Sequence, residues 1–202
     1  MRGVALKHSL THDQRGMSIT EFGLISPVLI MLLMGVMDLG HTLYMQAVVQ
    51  GALQKAARDA SLETGTQDTV YQATKTAFTQ QVQRLAANAT VDISRTAFRD
   101  YTKAANPAKE PYTDTNNNNR CDNGEPYEDN NNSGVWDIDT GRSGTQGGAK
   151  DIVVYAAQVK YARLFPMASL IGLSRDVTLN ASVSLVNQPY GDQAAVTVRN
   201  CT

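Results

Sequence analysis

Histidine is scarce in this sequence: His8, His12 and His41 are the only three, and all lie near the N-terminus. Most of the chain therefore lacks the side chain best suited to acid–base work near neutral pH. No GxSxG, HExxH or phosphate-loop motif occurs, and no Cys/His arrangement suggests a nucleophile, so no enzyme is expected. Charge is also sparse: charged residues make up 18% of the chain, and the net charge is −1. That balance excludes a nucleic-acid binder that works by phosphate neutralisation. Cysteine is limited to Cys121 and Cys201. Two cysteines this far apart can pair in an exported domain and would stay reduced in a cytosolic one, so the compartment decides their state.

What is present begins with an apolar run. Residues 1–16 carry Arg2, Lys7 and Arg15 against Asp13, and Phe22 to Met37 is free of charge. A helix rises about 1.5 Å per residue, so about 20 residues cross the hydrocarbon core. The run reaches that length through Leu39, Leu43 and Tyr44, with Asp38 ending it at the outer interface. The basic residues precede it, which places the N-terminus in the cytoplasm and the rest outside. Pro27 removes one helix hydrogen bond and predicts a bend near Gly23. The helical pattern continues beyond the span, with Leu39, Leu43, Ala47, Val48, Leu53 and Ala57 on one face, to about Leu62. A cleaved secretory signal would need a cutting site after small residues, and none is evident.

Gly16 followed by Met17-Ser-Ile-Thr-Glu21-Phe22 resembles the class III signal of type IV pilins and pseudopilins. More narrowly, residues 15–65 resemble the TadE-like minor pseudopilins of tight-adherence (Flp-type) pili. The resemblance implies a leader, residues 1–16, cut after Gly16 by a prepilin peptidase. It implies a single-pass inner-membrane protein whose C-terminal domain is periplasmic or extracellular. Its partners would be other pilin or pseudopilin subunits and the pilus assembly platform. It also implies that Glu21 pairs with the new α-amino group of Met17 on a neighbouring subunit. An isolated carboxylate at the edge of a bilayer is costly, which gives that pairing a physical basis.

The remaining chain predicts one α+β domain over 65–202, behind a transmembrane and spine helix over 17–64. Asp68 to Ala89 has helical periodicity, with Val70, Ala73, Ala77, Phe78, Val82 and Leu85 on one face. Val91–Ser94, Ile152–Tyr161 and Val177–Val186 read as strands. Leu164–Gly172 reads as a short helix or a loop. The predicted assembly is a small antiparallel sheet packed on the long helix.

Residues 110–142 form an acidic, Asn-rich insert. Between Glu110 and Asp139 it carries eight acidic side chains against the single Arg120. Calcium loops place oxygen ligands at alternate positions and a bidentate acid at the twelfth. Asp114, Asn116, Asn118, Asp122 and Glu125 occupy positions 1, 3, 5, 9 and 12, and Arg120 would offer its carbonyl at position 7. Asn119 replaces the usual glycine, and Asn tolerates the left-handed turn. A looser copy starts at Asp129, with Asn131, Ser133, Gly134, Val135 and Asp137 following. Its twelfth residue is Thr140, so Glu125, Glu128 or Asp139 would have to close it. The expected cofactor is one or two structural calcium ions; the alternative is a solvated acidic linker. A Cys121–Cys201 bridge would tie the insert to the C-terminus, with free thiols or an intersubunit bridge as alternatives. The two functional expectations are a pseudopilin that joins or primes a filament, and a membrane-anchored, calcium-dependent adhesin outside any filament.

Overall fold

The computed structural model describes residues 16–61, 68–122, 124–165, 169, 172, 174–188 and 191–202. All but Gly16 of the expected leader 1–16, the expected helix stop at Glu63–Gly65 and much of Leu164–Gly172 fall outside them. The elements are α1 (Met17–Ser61), α2 (Asp68–Gln83), β1 (Thr90–Phe98), α3 (Tyr101–Ala105), β2 (Pro126–Asp129), β3 (Arg142–Ser143), β4 (Ile152–Ala162), β5 (Asp176–Val186) and β6 (Thr197–Asn200). A long apolar helix with antiparallel sheets makes the fold α+β.

Contacts divide the chain into two compact units. One holds the chain through Leu43 together with Arg163–Arg175; the other holds Tyr44–Ala162 and Asp176–Thr202. In the first unit α1 runs through Pro27 without interruption. Its large apolar side chains from Met17 to Leu43 are mostly exposed, including Phe22, Leu24, Val28, Leu32 and Val36. This part is long and apolar enough to cross a membrane.

In the second unit the strand order is β3-β1-β4-β5, all antiparallel. Alternation along β4 and β5 sends Val153, Tyr155, Ala157, Val159 and Tyr161, with Val177, Leu179 and Ala181, into the core. Met45, Val49, Ala52, Leu53, Ala57 and Ala60 of α1 and Phe78 and Val82 of α2 complete it. The buried face of α1 thus differs from the expected one. Leu39, Leu43 and Ala47 are exposed, because the apolar stripe of the span does not continue into the domain. Ala73, Ala77 and Leu85 are likewise exposed on or just past α2, where Tyr71, Phe78 and Val82 face the core instead.

β1 extends beyond the expected Val91–Ser94. Arg95 sits at an inward position and is buried, its guanidinium 3.9 Å from the centre of the Tyr71 ring and its Nε donating to Gly144 O at 3.0 Å. Cation–π contact and the hydrogen bond offset the cost of burying that charge. The Ala60 carbonyl lies in the last turn of α1, where helix carbonyls run short of intrahelical donors. Gln146 supplies one, Nε2 to O at 3.0 Å, and is itself held by Tyr155 and Asn187. β2, within the insert, pairs with β6 as a separate two-stranded sheet.

Candidate functional site

The acidic insert is built from two copies of one turn. In the first, Asp114 Oδ1 accepts from Asn118 N at 3.2 Å and Oδ2 from Asn119 N at 2.7 Å. In the second, Asp129 Oδ1 accepts from Ser133 N and Oδ2 from Gly134 N, both at 3.0 Å. Asn116 Oδ1 accepts from Asn118 N at 3.0 Å, and Asn131 Oδ1 from Ser133 N at 2.9 Å. Asn118 Oδ1 and Ser133 Oγ take the N–H of Arg120 and Val135 at 2.8 and 3.2 Å. The left-handed residues match as well: Asn117 and Asn119 (φ 61°) correspond to Asn132 (57°) and Gly134 (84°). Asn119 therefore does take the conformation usually given to glycine.

Each turn is closed by a glutamate, and the two closures match atom for atom. Glu125 Oε1 accepts from Thr115 N at 2.7 Å and Oε2 from Asp122 N at 2.9 Å. Glu110 Oε1 accepts from Asn130 N at 2.7 Å and Oε2 from Asp137 N at 3.1 Å. Thr115 and Asn130 both follow the leading aspartate, and Asp122 and Asp137 are both ninth. The closing acid of the second loop is therefore Glu110, from before the insert's first turn. The acids expected to close it as calcium ligands are placed otherwise. Glu128 is exposed, Asp139 accepts from Gly141 N at 2.8 Å, and Glu125 belongs to the first loop.

The signal for this lay in the sequence. Glu110-Pro-Tyr-Thr-Asp114 and Glu125-Pro-Tyr-Glu-Asp129 are one motif, repeated. The repeats pair antiparallel through a Tyr112–Tyr127 bridge. Thr113 N donates to Pro126 O and Glu128 N to Pro111 O, both at 2.9 Å. Each glutamate thus sits across a two-residue rail from the other turn. Trp136 joins the halves: Nε1 donates to Glu110 O at 2.9 Å, and its ring meets Tyr112 edge-on at 5.4 Å.

The two carboxylate environments differ. Burial pushes the Glu110 carboxyl up from its usual range, against the pull of backbone N–H donors from Asn130, Asp137 and Asn131. Asp122 is held low by the Asn116 and Asn118 side chains, and Glu125 by the N–H groups of Asp122 and Thr115. Asp129 is fully covered and paired with Arg199 of β6, Nε to Oδ2 at 2.6 Å. Its first-loop counterpart Asp114 has Arg120 close in sequence and, among the described residues, accepts from the backbone N–H groups of Asn118 and Asn119.

The donor set is all oxygen: carboxylates, Asn amides, one hydroxyl and backbone carbonyls. Among the described residues no three His, Cys, Asp or Glu side chains are grouped as a metal shell. The set suits a hard cation and not zinc. Cys121, inside the first loop, is disulfide-bonded to Cys201, with Cα atoms 5.7 Å apart. Gly124 N donates to Cys201 O and Cys201 N to Glu125 O, so the C-terminus is strapped to the first loop by backbone as well.

The other expected site residues lie on α1. Gly16 and Met17 stand at its start and Glu21 in its second turn, all three exposed. Residues 16–58 match the family model described as TadE-like protein. No curated protein and no solved structure matches the chain.

Proposed function

Taking a TadE-like N-terminal segment as premise, we propose that this chain is a minor pseudopilin of a tight-adherence pilus or a related secretion system. The observation that carries this reading is the exposed apolar rod of α1. From Met17 to Leu43 no residue of the rod is fully buried within the chain and its large apolar side chains are mostly exposed, so it needs lipid before assembly or neighbouring rods afterwards. In this reading prepilin peptidase cuts after Gly16, and the chain sits in the inner membrane with its N-terminus cytoplasmic. Glu21 then finds the amino group of Met17 on an adjacent subunit. That pairing removes an unpaired charge from the edge of the bilayer and fixes the stagger between rods.

The insert is proposed to bind calcium as a structural ion in the exported domain. The Asp114 loop is the stronger site, since its leading carboxylate lacks the Arg199 cation that already compensates Asp129. Millimolar calcium outside the cell suits sites of this kind. The role is to hold a polar segment with little apolar surface in one conformation.

Gly16→Ala and Glu21→Ala, expressed in the native host, test the assembly reading. Both are expected to abolish surface filaments while the protein stays in the membrane. Normal piliation with Gly16→Ala would contradict it and favour an anchored adhesin.

A further inference from the structure

We propose that the start of the connection between β4 and β5, residues 163–165, is a second membrane contact, in which Leu164 and Phe165 enter the headgroup boundary of an anionic bilayer beside α1. The proposal rests on the membrane reading of α1. Asp38 is the first charge after the run Phe22–Met37, and an unpaired acid there would be costly. Arg163 compensates it: NH1 donates to Asp38 Oδ2 at 2.6 Å, the two side chains being 20% and 14% exposed. The same arginine closes the base of its own loop. Its N–H donates to Arg175 O and its Nε to Ser174 O, both at 2.9 Å. One side chain therefore ties the loop's two ends together and fixes them to the end of the apolar run.

Depth follows from α1 itself. Met34, Asp38, His41 and Thr42 are partly covered while their neighbours Leu33, Val36, Met37, Leu39 and Leu43 are exposed. This covered face runs at helical spacing and begins at Met34, one turn inside the uncharged run, or about 6 Å before Asp38. Protein therefore lies against α1 where the bilayer margin must be, and Arg163–Arg175 is the segment grouped with this part of α1. Leu164 is 53% exposed there, and Phe165 half-buried. The sequence from 164 to 174 has no charged residue, while Arg163 and Arg175 flank it. Arg163 is spent on Asp38, but Arg175 is exposed, and apolar residues beside an exposed cation match the chemistry of an anionic lipid surface, with alkyl chains below and phosphates above.

The test uses the full chain with its native disulfide, in vesicles of phosphatidylcholine and phosphatidylglycerol. Leu164→Cys, Leu29→Cys and Ile138→Cys are each labelled with an environment-sensitive fluorophore and quenched by doxyl lipids. The label at Leu164 is expected to be blue-shifted and quenched most by doxyl groups near the headgroup. Leu29 should respond to doxyl groups deep in the chains, and Ile138 to neither. Adding Arg163→Ala should lose the quenching at Leu164 and keep it at Leu29. A water-like signal at Leu164 with Leu29 quenched would overturn the proposal and leave the anchor standing. Quenching at Leu164 that appears only at high protein density would also overturn it, in favour of a second copy as the cover. Absence of quenching at Leu29 would remove the membrane reading on which it rests.

Discussion

Glu110 and Glu125 hold the same place in two copies of one pentapeptide, yet each closes a different turn: Glu125 the one begun by Asp114, Glu110 the one begun by Asp129. The first glutamate reaches forward across the Tyr112–Tyr127 bridge and the second closes the loop it ends. The insert is therefore one cooperative object. Its two turns cannot open independently, because each acid sits on the rail that carries the other loop.

Replacing Glu110 should show this. In Glu110→Gln one of the two accepting oxygens becomes an NH2 group that cannot accept, so a buried backbone N–H that pointed at it loses its partner, which costs about 2 kcal/mol. Thermal unfolding should fall accordingly. Hydrogen exchange should quicken in 129–137 and also in 112–118, since Trp136 is bound to Glu110. Faster exchange confined to the second turn would argue against the coupled arrangement.

Acid sensitivity without calcium separates the same two residues. The Asn116 and Asn118 side chains hold Asp122, and backbone N–H groups hold Glu125, below the ordinary carboxylate range, so the stability they supply is present above that range and lost as pH falls through the lowered values. Glu110 runs the other way: its raised value means that ionisation costs stability as pH rises past 4.5, and acid relieves that cost. Chelated protein is expected to lose stability below about pH 4.5, less steeply in Glu125→Gln and more steeply in Glu110→Gln. Stability measured by denaturant across pH 3–7 checks both signs.

Calcium should act through the first loop before the second. Titration followed by Trp136 fluorescence is expected to respond in the millimolar range or below. Asp114→Asn should remove the tighter phase, and Arg199→Ala should strengthen the weaker one by freeing Asp129. No response up to several millimolar would leave the insert as a hydrogen-bonded acidic segment.

The edge of the main sheet is also testable. β5 is a terminal strand, and its outer carbonyls at Asn180 and Ser182 accept from Gln46 and Gln50 of α1, both at 3.1 Å. One helical turn thus spans two strand residues and covers an edge that could otherwise pair with another chain. Gln46→Ala with Gln50→Ala is expected to cost about 1–3 kcal/mol in all and to increase self-association on light scattering. Unchanged stability and size would deny the glutamines this role.

Much of this was readable beforehand where one period dominates. The alternation in Ile152–Tyr161 and Val177–Val186 located β4 and β5 to within a residue, because one face meets the core along their length. The reading of β1 stopped at Ser94 because Arg95 looks solvent-bound until Tyr71 is brought over it. Periodicity alone picks the wrong face of α1, because the exposed stripe of the apolar run and the core-facing stripe are equally apolar, and only the sheet decides between them. The turn that starts at Asp114 was legible because the residues that build and close it lie within one stretch of twelve. The second was incomplete because its closing acid comes from another copy of the repeat, and spacing rules assume closure within one loop.

The mass of the mature protein, extracted from membranes of its native host, tests the central claim most directly. The account predicts a chain that starts at Met17, with the uncut form accumulating in Gly16→Ala. A wild-type chain that retains residues 1–16 would contradict it.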